Sequence, residues 1–146
     1  MLSNVQKLRE ATGAGVMDCK KSLEDARGDF DAAVKLIYER GIVKADKKSG
    51  RNTGAGLLES YVHNGRVGVL LELRCETDFV AKSEPFVKLA HDLAMQISAM
   101  APNDTAELLK QNYIKDESMI IENLLKTITA KVGENIKIER FCRYEL

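Results

Sequence analysis

The dipeptide Asn64-Gly65 constrains this chain more than any other pair of residues. Both residue types accept a positive φ, which a tight two-residue hairpin turn demands at both of its centres. Before it lies Leu57-Leu58-Glu59-Ser60-Tyr61-Val62-His63, and after it Arg66-Val67-Gly68-Val69-Leu70-Leu71-Glu72-Leu73. Alternation at Val67, Val69, Leu71 and Leu73 predicts a β-hairpin with one buried face. A third strand is predicted over 136–145, where Ile136 and Ile138, then Cys142 and Tyr144, alternate.

The rest has helical spacing. Ser3 and Gln6 form a capping box ahead of Val5 and Leu8, and that helix ends in Thr12-Gly13-Ala14-Gly15. A second helix carries Val16, Met17, Cys19, Leu23 and Ala26, with Gly28 in the left-handed closing position. Asp29 caps a third, which includes Ala33, Leu36 and Ile37 and is expected to stop at Gly41. The polar run Lys44 to Arg51 is a linker; its clustered cations make a nucleic-acid patch the alternative. Beyond the hairpin, Ser83-Glu84-Pro85 opens a long helix with a stripe of Phe86, Leu89, Leu93, Ile97 and Met100, stopping before Pro102. A short helix is predicted over 105–111. A longer one over 117–132 turns Ile121, Leu124, Leu125 and Ile128 inward and is capped by Gly133. The prediction is therefore an α+β chain: a three-helix bundle in 1–43, a linker in 44–54, and a small antiparallel sheet packed with helices in 55–146.

Composition narrows the function. In 146 residues, 22 Lys plus Arg balance 22 Asp plus Glu, which argues against a domain built to coat nucleic acid. No stretch approaches the roughly 20 apolar residues that span a bilayer, and the N-terminal MLSNVQKLREATG lacks the pattern of a signal peptide. A soluble, cytoplasmic protein with no membrane partner is expected. Cys19, Cys75 and Cys142 are widely spaced and form no C-x-x-C pair, so neither a disulfide framework nor a metal site is expected.

Catalytic groups come as oriented sets, and none is evident. His63 and His91 lie on different elements with no activated Cys or Ser nearby. The G-x-G within Thr12-Gly13-Ala14-Gly15 follows a helix and lacks G-K-[ST], so it is a turn and not a phosphate loop. Val16 and Met17, directly after it, either fill the small bundle or stand exposed at its tip, where Met suits an adaptable contact. The corner Cys75-Glu76-Thr77-Asp78-Phe79-Val80-Ala81-Lys82 has two readings as well. It is either an N-cap with Phe79 tucked into the core, or a rigid wedge in which Asp78 and Phe79 enter a partner.

Three segments settle these alternatives together. Leu8 to Lys21 (LREATGAGVMDCKK), Leu71 to Lys82 (LELRCETDFVAK), and Gly133-Glu134-Asn135-Ile136 running on to Arg140-Phe141-Cys142-Arg143-Tyr144-Glu145 closely resemble elongation factor Ts. The resemblance implies that the first module is a bundle of the ubiquitin-associated type. It implies a partner, elongation factor Tu in its GDP form, and an exchange activity with no covalent chemistry, no cofactor and no bound nucleotide of its own. Thr77, Asp78, Phe79 and Val80 then match the wedge that disturbs the partner's Mg²⁺ site. Arg9, Val16 and Met17 match the face that docks on the partner's nucleotide domain, with Val16-Met17 standing where the family favours Met-Met.

One departure stands out. Many relatives carry a duplicated core half or a longer helical insertion before the Gly133-Glu134-Asn135 segment, and here only about thirty residues join it to the central helix. An alternating terminal strand would otherwise be an unprotected edge, so a homodimer is expected in which a second copy stands in for the missing half. Cys142 could then meet its mate across a two-fold, although a buried free thiol is the expected state.

Overall fold

The hairpin turn forms as its residue types require. Asn64 and Gly65 take φ of 53° and 66°, and the Arg66 N–H closes the turn on the His63 carbonyl at 3.0 Å. Strands β1 (Ala55–His63) and β2 (Val67–Cys75) pair antiparallel with His63 opposite Val67, so Arg66 is a third loop residue that the two-residue expectation omits. The structure is a computed structural model that describes residues 3–146.

Three helices precede the sheet: α1 (Asn4–Thr12), α2 (Val16–Asp25) and α3 (Phe30–Asp46). The capping box is present: the Gln6 N–H donates to the Ser3 hydroxyl at 3.3 Å, and the Ser3 N–H donates to the Gln6 side chain at 2.9 Å. The Asp29 carboxylate caps α3 by accepting the Ala32 N–H at 2.9 Å. Leu8, Cys19, Leu23 and Ala33 form the bundle's own small core. The predicted stop at Gly41 is wrong, because α3 continues to Asp46. Gly41 serves close packing: a Cβ there would lie 3.2 Å from the Ala130 Cβ on helix α7 (Ile121–Val132), against which α3 lies.

The remaining elements are α4 (Asp78–Ala81), α5 (Glu84–Met100), α6 (Thr105–Lys110), β3 (Asn112–Tyr113), β4 (Asp116–Ile120) and β5 (Lys137–Glu145). The main sheet has the order β1-β2-β5, all antiparallel, and β5 bulges at Glu139 where the register slips between Glu72 and Leu73. Phe86, Leu89, Leu93 and Ile97 of α5 meet Val69, Leu71 and Leu73 of β2, Ile138 of β5, and Ile121 and Leu125 of α7 in one core. Met100, on the predicted stripe, is exposed at the end of α5. The helix expected from residue 117 begins only at Ile121, because the residues before it pair as a second hairpin, β3-β4. That hairpin is held by polar groups of α5: buried Gln96 accepts the Ile114 N–H at 2.9 Å and donates to the Asn112 carbonyl at 3.0 Å. No helix among the described residues is long and apolar enough to cross a membrane.

Candidate functional site

At the exit of β2 the chain turns into α4, a single turn. Thr77 is its N-cap, extended at φ −130° and ψ 154°, and its hydroxyl accepts the Val80 N–H at 3.3 Å. At 3.6 residues per turn, successive side chains are rotated by about 100°, so the first two residues of this single turn face solvent while the next two face the core. Val80 is buried at 5% exposure, while Phe79 is 86% exposed, with Asp78 exposed beside it. Of the predicted segment, Asp78 and Phe79 are therefore presented outward, and Val80 roots the turn in the core.

Thr77 is held at three points. Its N–H donates to Glu134 Oε1 at 2.9 Å and its hydroxyl to Glu134 Oε2 at 2.7 Å. Its carbonyl accepts the Cys75 thiol at 3.2 Å. Burial pushes the Cys75 thiol up, and the Glu134 carboxylate adds to the shift, which keeps the thiol protonated as a donor. The neighbouring Asn135 N–H donates to Glu76 at 2.8 Å, and the Asn135 side-chain amide donates to the carbonyls of Ser49 and Arg51 at 3.2 and 3.0 Å. Glu134 and Asn135 are functional candidates that residue-level sequence reasoning left without a role. The available signal was a glycine closing α7, Gly133 at φ +78°, followed directly by two polar residues.

The second predicted group sits on the bundle. Gly15 is the N-cap of α2, and Val16 and Met17 open its first turn with 49% and 72% of their surface exposed. They are not core, because Cys19 and Leu23 already fill that side of α2. Arg9 is exposed on the last turn of α1, whose end is closed by the Gly13 N–H on the Arg9 carbonyl at 2.8 Å. Lys44 reaches Asp18 at 2.8 Å, and Arg40 bonds Ser22 at 2.8 Å and pairs with Asp25, tying α2 to α3.

The histidines flank Tyr61. Its hydroxyl lies 2.9 Å from His63 Nδ1, its ring is edge-on to His91, and His91 Nδ1 lies 3.5 Å from Glu59. Among the described residues, no three His, Cys, Asp or Glu side chains converge as a metal site.

Fold and site together define a small α+β protein with an apolar, exposed bundle tip and a braced, outward aromatic. Residues 76–146 match the family described as Elongation factor TS. Over 97% of the chain, the sequence is 39% identical to elongation factor Ts of Thermotoga neapolitana, of which 94% is covered. It is 42% identical to the chloroplastic elongation factor Ts of Cyanidioschyzon merolae and 40% identical to elongation factor Ts of Prochlorococcus marinus, covering 91% and 87% of those proteins. The chain belongs to the elongation factor Ts family and is a translation elongation factor. The Thermotoga alignment runs over 186 positions against 146 residues here, so at least 40 of its positions have no residue in this chain.

Proposed function

We propose that the chain is a guanine-nucleotide exchange factor that binds elongation factor Tu in its GDP form and speeds GDP release by disturbing the partner's Mg²⁺ site. The observation that carries this is Phe79, a large apolar side chain 86% exposed on a turn whose cap is bonded to the core. Mg²⁺ holds phosphates only in a near-ideal octahedral shell, so a side chain that shifts the surrounding groups slightly weakens nucleotide binding. Asp78 supplies a charge beside the ring, and Thr77 and Val80 fix the turn. Arg9, Val16 and Met17 form the docking contact on the bundle. No covalent bond changes, and the factor holds no cofactor or metal.

Linkage requires reciprocity: GDP must weaken binding of the factor by the ratio in which the factor weakens GDP. A tenfold mutual effect needs only about 1.4 kcal/mol of coupling. The same reading divides the chain into a docking bundle (1–43), a linker (44–54) whose first three residues are the last of α3, and an α+β core (55–146), places it in the cytoplasm, and makes it a homodimer through the core. The test is release of fluorescent GDP from elongation factor Tu. The intact chain should accelerate release and Phe79→Ala should not; an unchanged off-rate with the intact chain removes the exchange reading.

A further inference from the structure

We propose that Glu134 is a positioning residue for the Phe79 wedge, a role that rests on the exchange reading above. Helix α4 is only four residues long, and so short a helix has no stability of its own. Its direction depends on its cap. The Thr77 hydroxyl has one proton and must both donate and accept. Glu134 Oε2 takes that proton at 2.7 Å, which leaves a lone pair facing the Val80 N–H at 3.3 Å. The second carboxylate oxygen holds the Thr77 N–H at 2.9 Å, so one side chain fixes both the backbone and the rotor of the cap. Hydrogen bonds to a charged acceptor are the stronger kind.

The brace extends beyond the wedge. Gly133 takes a left-handed φ of +78°, turning the chain back after α7 so that Glu134 and Asn135 reach the wedge corner together. Asn135 bonds Glu76 on one side of its backbone and the carbonyls of Ser49 and Arg51 with its side chain, and Arg51 reaches Glu76 at 3.6 Å. Sequence positions 49–51, 76–77 and 134–135 are thereby joined, and the segment following the bundle is anchored at the base of the wedge. A ring that must displace groups in a partner gains from a fixed approach direction, because a misplacement of about 1 Å can cost a hundredfold in rate.

The test uses the full chain as parent, Glu134→Ala, Glu134→Gln and Phe79→Ala, titrated into elongation factor Tu loaded with fluorescent GDP. Glu134→Ala should lower the maximal stimulated rate about tenfold, the equivalent of one lost hydrogen bond to a charged group. The concentration giving half the maximum should stay within about twofold, since the bundle's docking contact is untouched. Glu134→Gln should recover part of the maximum, because its amide oxygen still accepts the Thr77 N–H. In the free protein, Glu134→Ala should speed hydrogen exchange at the Thr77 and Val80 amides about tenfold and leave the α5 amides unchanged. Unchanged exchange at those two amides overturns the proposal, as does a shift in half-saturation with an unchanged maximum. If the parent accelerates release, Phe79→Ala does not, and both Glu134 variants match the parent, the positioning role fails and the wedge stands. If the parent itself has no effect, both readings fail together.

Discussion

Phe79 and Gly56 show how differently single residues matter in this chain. Phe79 contributes almost nothing to the fold, since its ring lies in solvent. Phe79→Ala should therefore change the unfolding free energy by no more than about 0.5 kcal/mol, the range of ordinary surface substitutions. Urea unfolding of parent and variant checks this, and a loss of several kcal/mol would return the ring to the core and remove the wedge. Gly56 is the converse case. It sits in β1 at φ +155°, opposite Arg74, and a Cβ there would lie 2.2 Å from the Leu73 carbonyl oxygen and 2.9 Å from the Arg74 Cα. Backbone atoms of a central strand cannot move aside as a flexible side chain can. Gly56→Ala should lower stability by about 2 kcal/mol or more, combining backbone strain with overpacking. A urea midpoint equal to the parent's would mean that β1 can shift along β2 without loss.

Among the elements, the β3-β4 hairpin depends on two buried polar groups of α5, Gln96 and Asp92, of which Asp92 carries a charge. Asp92 of α5 is 4% exposed and accepts from Lys115 at 2.6 Å, Lys88 at 2.8 Å and the Tyr113 hydroxyl at 3.0 Å. Burial pushes its carboxyl up, but the bonds from Lys115, Lys88 and Tyr113 outweigh burial and hold it below the usual range. A carboxyl lowered in the folded state binds fewer protons there than in the unfolded chain. Its contribution is thus complete above the unfolded value of about 3.9 and is lost as pH falls through the lower folded value. Asp92→Asn should cost about 1–3 kcal/mol at pH 7, and the gap from the parent should narrow at pH 3. A gap of the same size at pH 3 would show that the charge is not what holds the hairpin. This dependence on α5 also explains why β3-β4 was illegible in the sequence. Asp116-Glu117-Ser118-Met119-Ile120 has no alternation of its own, and the groups that fix the hairpin lie about twenty residues earlier. Asn64-Gly65 was legible because its requirement is local. Gly41 misled for a related reason: a glycine that ends a helix and one that admits a neighbouring helix look alike until Ala130 is seen against it. At the site, the α4 cap and the outward Asp78-Phe79 pair follow from Thr77 and from the family resemblance. The Glu134 grip joins positions 57 residues apart and leaves no local pattern.

The whole molecule is lopsided. Helix α5 covers one face of the β1-β2-β5 sheet, while the other face carries Leu58, Val62, Leu70 and Tyr144, all exposed, with Cys142 exposed among them. The pairings Leu58–Glu72, Ser60–Leu70, Leu70–Cys142 and Gly68–Tyr144 put these side chains on one continuous surface. At its edge the Glu72 carboxylate is bracketed by Arg74 at 3.1 Å and Arg140 at 3.2 Å, leaving an apolar centre beside a polar margin. A contiguous apolar face of this kind marks an interaction surface. A second copy meeting it across a two-fold would bury the same residues twice, at roughly 1–2 kcal/mol for each large side chain covered. Leu70 lies on the central strand and is the most informative position. It is 45% exposed, so Leu70→Lys leaves the buried core intact while placing at the middle of the interface a charge that dimerisation would have to desolvate. The parent should scatter light as a dimer at micromolar concentration, and Leu70→Lys should be a folded monomer with an unchanged circular dichroism spectrum. A parent that stays monomeric leaves the sheet face open to solvent or to elongation factor Tu itself. In that second case Leu70→Lys should weaken stimulated GDP release, an effect that a pure dimer contact on the far side of α5 would not produce.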